Sequence, residues 1–215
     1  MIFDGHSDIF SDVRYKREAG ETQVLKNHHL DRLRKGGIGG ACFVIWADTY
    51  NGHAPKDEME AIVKGIKGEM AETKEFVLIH NVEELKAAEA AGKFAILLGI
   101  EGLAGIGEDL SKIDELYDLG ARHAMLTWNE ENALATGVKG DPNRGVTELG
   151  KQAIKKLQEK KMILDVSHIN EKSFWDVIDL ATGPILASHS NAKALASAAR
   201  NLTDDQLRAI RDTNG

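Results

Sequence analysis

Four short apolar runs of this chain each end in a residue that can bind a metal. Their repetition restricts the fold more than any bulk property does. They are Phe3-Asp4-Gly5-His6-Ser7-Asp8, Ile96-Leu97-Leu98-Gly99-Ile100-Glu101, Ile163-Leu164-Asp165-Val166-Ser167-His168 and Ile185-Leu186-Ala187-Ser188-His189. Continuous rather than alternating runs read as strands buried on both faces of a parallel sheet. Four strands, each polar at its C-terminal end, suggest convergence on one site. Histidine and carboxylate ligands together suit a divalent metal such as zinc.

The pattern predicts strands over 2–8, 40–47, 94–101, 122–127, 162–168 and 185–188. Amphipathic segments over 56–75, 82–91, 109–119, 147–160 and 171–181 lie between them. In 147–160, Leu149, Ala153, Ile154 and Leu157 share a face. Gly150 stands three residues after Thr147, so no capping box forms there. Thr203-Asp204-Asp205-Gln206 does fit a capping box opening a last helix over 203–211.

Strands alternating with helices of this length form βαβ units. An open doubly wound sheet usually carries a glycine-rich phosphate loop after its first strand. Here His6-Ser7-Asp8 takes that place, and Gly36-Gly37-Ile38-Gly39-Gly40 precedes a strand, reading as a tight connection. Ligands from strands far apart in sequence meet at the C-terminal face of a barrel. The expected fold is therefore α/β, a TIM-like (β/α)8 barrel. Only about six β/α units are counted, where a full barrel has eight over ~250 residues. The chain stops after a helix, at Asp212-Thr213-Asn214-Gly215. The expectation is one domain, 1–215, truncated before its last strands.

Composition narrows the function classes. With 215 residues, 42% hydrophobic and 28% charged, the chain can build a substantial core. A net charge of -7 argues against a nucleic-acid surface. The lone Cys42, in the apolar run Ala41-Cys42-Phe43-Val44-Ile45, reads as a buried thiol and allows no internal disulfide. No leader is visible ahead of the first strand, and no apolar stretch reaches the ~20 residues of a membrane span. These features predict a soluble, cytoplasmic protein without membrane or nucleic-acid partners.

His6 and Asp8, two apart on an extended segment, point the same way. Glu101 closes an apolar run, where a carboxylate is costly unless paired or metal-bound. His168 and His189 close consecutive strands, and each alone reads equally well as a satisfied core histidine. Together the five could hold two metals ~3.5–4 Å apart, sharing Glu101. His28 and His29 are expected in a polar loop, and these, His53 and His80 at the surface. His123 is expected at the start of a strand in a structural role. Ser167 and Ser188 lie in no G-x-S-x-G elbow, which argues against a serine nucleophile.

These residues in this order resemble the membrane dipeptidase (renal dipeptidase) family, the M19 metallopeptidases of the amidohydrolase superfamily. The resemblance rests on Asp4-Gly5-His6-Ser7-Asp8, Gly99-Ile100-Glu101-Gly102, Leu126-Thr127-Trp128-Asn129, Leu164-Asp165-Val166-Ser167-His168, Ser188-His189-Ser190-Asn191-Ala192 and Ala199-Arg200-Asn201-Leu202. It implies a binuclear zinc site in a TIM-like barrel, with His6 and Asp8 on one ion, His168 and His189 on the other, and Glu101 bridging. It also implies hydrolysis of dipeptides through a metal-bridging hydroxide, with tolerance of a C-terminal D-residue. Arg200 matches the arginine that holds the substrate carboxylate, a task its fork geometry suits.

Two departures stand out. Where mammalian members carry a substrate-polarising histidine, this chain reads Thr127-Trp128-Asn129, so Asn129 is the candidate hydrogen-bond donor to substrate. The aspartate ending the family's last strand, its proton shuttle, has no counterpart here. The leading expectation is a zinc-dependent dipeptidase. One alternative is a non-catalytic barrel fragment that binds metal and self-associates through its open strand edges; the other is an amidohydrolase acting on N-acyl amino acids or cyclic amides. A homo-oligomer is expected.

Overall fold

The computed structural model describes residues 1–47 and 52–215. They divide into two units, Met1–Ile100 with Leu119–Arg122, and Glu101–Asp118 with His123–Gly215.

The first unit contains β1 (Ile2–Ser7), α1 (Ile9–Glu18), a π-helical turn (Leu25–Leu30), α2 (Asp31–Lys35), β2 (Ile38–Trp46), α3 (Pro55–Glu72), β3 (Phe76–Leu78) and α4 (Val82–Ala90). It also contains most of β4 (Phe94–Glu101). β1 pairs in parallel with β2, setting Phe3 opposite Gly40, and β3 pairs in parallel with β4. A Cβ at Gly40 would lie 2.8 Å from the Phe3 ring, so the bare backbone there admits the aromatic side chain. Behind the strands, Phe10 meets Phe43 edge-on at 5.5 Å, Phe43 stacks on Phe94 at 5.5 Å, and Phe76 adjoins Phe94 at 5.2 Å. Offset and edge-on rings stabilise a core beyond their buried area. Cys42 is buried in this layer.

Several elements differ from the sequence reading. α1 was not anticipated because its docking face is scarcely apolar, only Phe10 and Val13 with the stem of Arg14. Ion pairs hold it to α3 instead: Arg14 reaches buried Glu58 at 3.0 Å, and Arg17 reaches buried Glu69 at 3.1 Å and Glu72 at 2.7 Å. The segment predicted to end a helix at residue 75 leaves it at Glu72, and Phe76–Leu78 forms a strand too short for periodicity to reveal. β2 starts at Ile38, so only Gly36 and Gly37 make the connection, with Gly37 at φ +71°. His28 and His29 lie in the π-helical turn rather than a loop, paired with Glu21 at 2.5 Å and Asp12 at 2.8 Å. His29 is partly buried, while His28, His53 and His80 are exposed. β1 is not covered on both faces: Ile2 and Phe3 are exposed. It stands at one end of the strand order, hydrogen-bonded along one side.

The second unit contains most of α5 (Lys112–Leu119) and of β5 (Ala121–Met125), then α6 (Glu148–Glu159), β6 (Ile163–Asp165), α7 (Glu171–Leu180), β7 (Ile185–Leu186) and α8 (Asp204–Asp212). β6 pairs in parallel with both β5 and β7. α6 buries Ala153, Ile154 and Leu157, and α7 buries Phe174 and Val177. Thr147 caps α6 through the Gly150 N–H without a capping box, and Thr203 forms the expected box with Gln206. β6 and β7 are shorter than the predicted 162–168 and 185–188. Where the apolar runs become polar, the N–H groups of Ser167 and Ser188 go to the Asp165 carboxylate instead of a neighbouring strand.

Candidate metal centre

β1 delivers His6 and, one residue past its end, Asp8. The His6 Nε2 lies 3.6 Å from an Asp8 carboxylate oxygen, so both face one way as their spacing requires. The His6 N–H donates to the Asp4 carboxylate at 3.2 Å.

In the second unit, the structure brings together five of the residues singled out from sequence. Glu101, 5% exposed, sets Oε1 3.0 Å from His168 Nε2 and 3.4 Å from His189 Nε2. The two Nε2 atoms are 2.7 Å apart. Asn129 Oδ1 stands 2.9 Å from His168 Nδ1, and Ser188 Oγ 2.8 Å from His189 Nδ1. With Nδ1–H donated to Asn129, His168 keeps its Nε2 lone pair for a cation. Arg200 donates through Nη1 to the His189 carbonyl oxygen at 2.9 Å, and the same nitrogen is 3.4 Å from His168 Nε2.

This donor set fits a divalent cation. Two imidazole nitrogens and a carboxylate oxygen crowd one small, largely buried volume. Outer hydrogen bonds turn each ring's other nitrogen away, the arrangement typical of metal-binding histidines. Without a cation, two Nε2 atoms at 2.7 Å must share a proton.

The local backbone is built for this geometry. Gly102, directly after Glu101, has φ +82°, and a Cβ there would lie 2.8 Å from the Trp128 nitrogen. His168 has φ +68°, uncommon for a residue with a side chain. Its carbonyl accepts the Val138 N–H at 2.9 Å, and the next residue, Ile169, bridges Gly137.

Sequence reasoning did not single out Asp165. Both side chains of the Asp165–His123 pair are fully buried, 2.7 Å apart. Burial alone would push the Asp165 carboxyl up. The hydrogen bond and charge of His123, with the bonds from Ser188 and Ser167, outweigh it and hold the group below its ordinary value. The argument that flagged Glu101, a carboxylate in an apolar run, applies equally to Ile163-Leu164-Asp165. His123, expected at the start of a strand, is the third residue of β5.

The family model described as membrane dipeptidase (Peptidase family M19) matches residues 1–215. The chain belongs to the membrane dipeptidase family. A relative described as a protein in the PQQ-III 3' region of Acinetobacter calcoaceticus is 31% identical over 245 residues, an alignment covering 100% of this chain and 78% of that protein. Two solved structures are also similar. One is a metallo peptidase from Rhodobacter sphaeroides liganded with a phosphinate mimic of the dipeptide L-Ala-D-Ala (TM-score 0.88, 26% identity, covering 100% of this chain and 72% of that one). The other is the dipeptidase AC, a metallo peptidase of family M19 (TM-score 0.89, 26% identity, 100% and 71%). Membrane dipeptidases are metallopeptidases, so this M19 chain is a metal-dependent hydrolase with the α/β fold of a partial TIM-like barrel. Despite the family's name, no helix among the described residues is long and apolar enough to cross a membrane.

Proposed function

We propose that this chain is a zinc-dependent dipeptidase accepting dipeptides with a C-terminal D-residue, and that residues 1–215 act as one hydrolase domain. The observation that carries the reading is the convergence of Glu101, His168 and His189, with donor atoms 2.7 to 3.4 Å apart. His6 and Asp8 would hold one zinc, His168 and His189 the other, and Glu101 both. This assignment is supported by the family's motif order and by the 3.6 Å His6–Asp8 pairing. Acceptance of a C-terminal D-residue is supported by the dipeptide mimic bound to the Rhodobacter sphaeroides relative.

Zinc bound there supplies Lewis acidity toward the scissile carbonyl and activates water at neutral pH. The protein's own groups do the rest. Glu101, buried and acceptor-only, would carry the negative charge that balances the ions. Asn129 fixes the His168 ring through Oδ1 and keeps its amide N–H groups for the substrate. Arg200, tethered through Nη1, presents its remaining donors to the free carboxylate of the dipeptide.

The reading extends to a cytoplasmic homo-oligomer, supported by the single buried cysteine and by Ile2, Phe3, Ile163 and Leu186 exposed on β1, β6 and β7. Sedimentation tests the assembly. For activity, the zinc-loaded protein is assayed against L-Ala-D-Ala, L,L-dipeptides and N-acyl amino acids. Hydrolysis of L-Ala-D-Ala that needs metal and is lost in His168→Ala is expected. Turnover without metal would overturn the mechanism, and turnover of the N-acyl substrates alone would overturn the substrate assignment.

A further inference from the structure

Asp165 accepts hydrogen bonds from three donors. Its Oδ2 accepts from His123 at 2.7 Å and from the Ser188 N–H at 3.2 Å, and its Oδ1 accepts the Ser167 N–H at 2.7 Å. The donors come from three separate chain segments, on β5 and just beyond β6 and β7. Ser167 and Ser188 are the residues immediately before His168 and His189. The Ser167 hydroxyl also accepts the His189 N–H at 3.3 Å, and the Ser188 hydroxyl meets His189 Nδ1.

We propose that Asp165, held in place by His123, is the positioning residue for both imidazole ligands, His168 and His189. The proposal rests on the metal-site reading above. A buried carboxylate–imidazole pair is a poor device for stability alone, because well-packed apolar residues of similar volume do as well or better. What it provides is direction. Two backbone N–H groups, each one residue before a ligand, are fixed to the two oxygens of one rigid carboxylate. The spacing of the histidines therefore follows from the geometry of a single group. Metal sites tolerate only about half an ångström of ligand displacement. In β6 the anchor also holds the turn that leaves His168 at φ +68°. In this arrangement Asp165 and His123 act through the ligands.

The test compares the wild-type apoprotein with Asp165→Asn, His123→Gln and His123→Ala. Zinc affinity is measured by competition with a chromophoric chelator, ligand geometry by the visible spectrum of bound cobalt(II), and stability by urea unfolding. Loss of an outer hydrogen-bond partner typically weakens metal binding about 10–100-fold, and that loss, with a changed cobalt spectrum, is expected for folded Asp165→Asn. His123→Gln keeps a donor toward Asp165 and should bind at least about threefold more tightly than His123→Ala, given the same range. Lower stability with wild-type zinc affinity and cobalt spectrum in Asp165→Asn would overturn the proposal. If that variant does not fold, the two His123 variants decide, and equal affinities overturn it. A wild-type chain that binds no zinc overturns the metal-site reading and the proposal with it. Wild-type binding with unperturbed variants overturns the proposal alone.

Discussion

His168 Nε2 stands 2.7 Å from His189 Nε2, with the Glu101 carboxylate within 3.4 Å of both. Two ring nitrogens with lone pairs cannot face each other at that distance without a proton or a cation between them. His168→Ala removes one of them. Metal stoichiometry should fall, by elemental analysis of the dialysed protein. kcat/KM should drop about 10³-fold, the factor corresponding to the several kcal/mol that a Lewis acid contributes.

Gly137 lies against the segment that carries Asn129. A Cβ there would fall onto the Trp128 carbonyl oxygen and 2.5 Å from the Asn129 carbonyl carbon. Gly137→Ala must displace Trp128 and Asn129, and with them the hydrogen bond to His168. Overpacking of this kind costs about 1–3 kcal/mol, to be read from urea unfolding. Zinc affinity should fall in parallel, whereas a purely local strain would leave it unchanged.

The Arg14–Glu58 ion pair, at 3.0 Å with both side chains almost fully buried, joins α1 to α3. Glu58→Ala would strand a buried guanidinium, partly relieved by Glu18 at 3.1 Å. Breaking one side of such a pair costs about 3–5 kcal/mol, so a loss near the lower bound is expected in chemical denaturation. The double variant Arg14→Met with Glu58→Leu should recover most of it. Failure to recover would show that the pair does more than join the two helices.

Arg17 holds the Glu72 carboxyl down to about 2, with help from the Gln23 N–H. The folded value lies below the ordinary one of 4.5. The contribution to stability is therefore complete above the ordinary value and is lost as pH falls toward the folded one. Glu72→Gln should reduce the acid-side slope of Tm against pH between about 5 and 2, with little change in slope at neutral pH. An unchanged acid limb would count against the pairing. The group is solvent-exposed, so the effect should shrink in high salt.

Much of the fold was legible because long elements repeat their signal. The limits of β4 agree with the sequence reading at both ends, and α4, α6 and α7 agree within a residue at each end. Missing elements have identifiable causes. α1 docks through arginines rather than an apolar stripe, and β3 is three residues long. In the site, the convergence of Glu101, His168 and His189 follows from their positions at strand ends. Asp165 is not legible as a site residue because it lies inside an apolar run, and nothing local shows which backbone groups a buried carboxylate will accept. Ser167 and Ser188, which lie in no nucleophile elbow, link that carboxylate to the ligands.

The sequence by itself determined the strand–helix alternation, the residues available at the strand ends and the family to which they belong. These are properties of periodicity and order along the chain, which each segment carries locally. Tertiary structure alone decided how β6 and β7 end, why His168 adopts a left-handed backbone, and which side chains hold the ligand rings. Those outcomes depend above all on partners distant along the chain, 42 residues for His123 with Asp165 and 23 for Asp165 with Ser188. A hydrogen bond selects its partner by distance and direction in space, and spacing in sequence encodes neither.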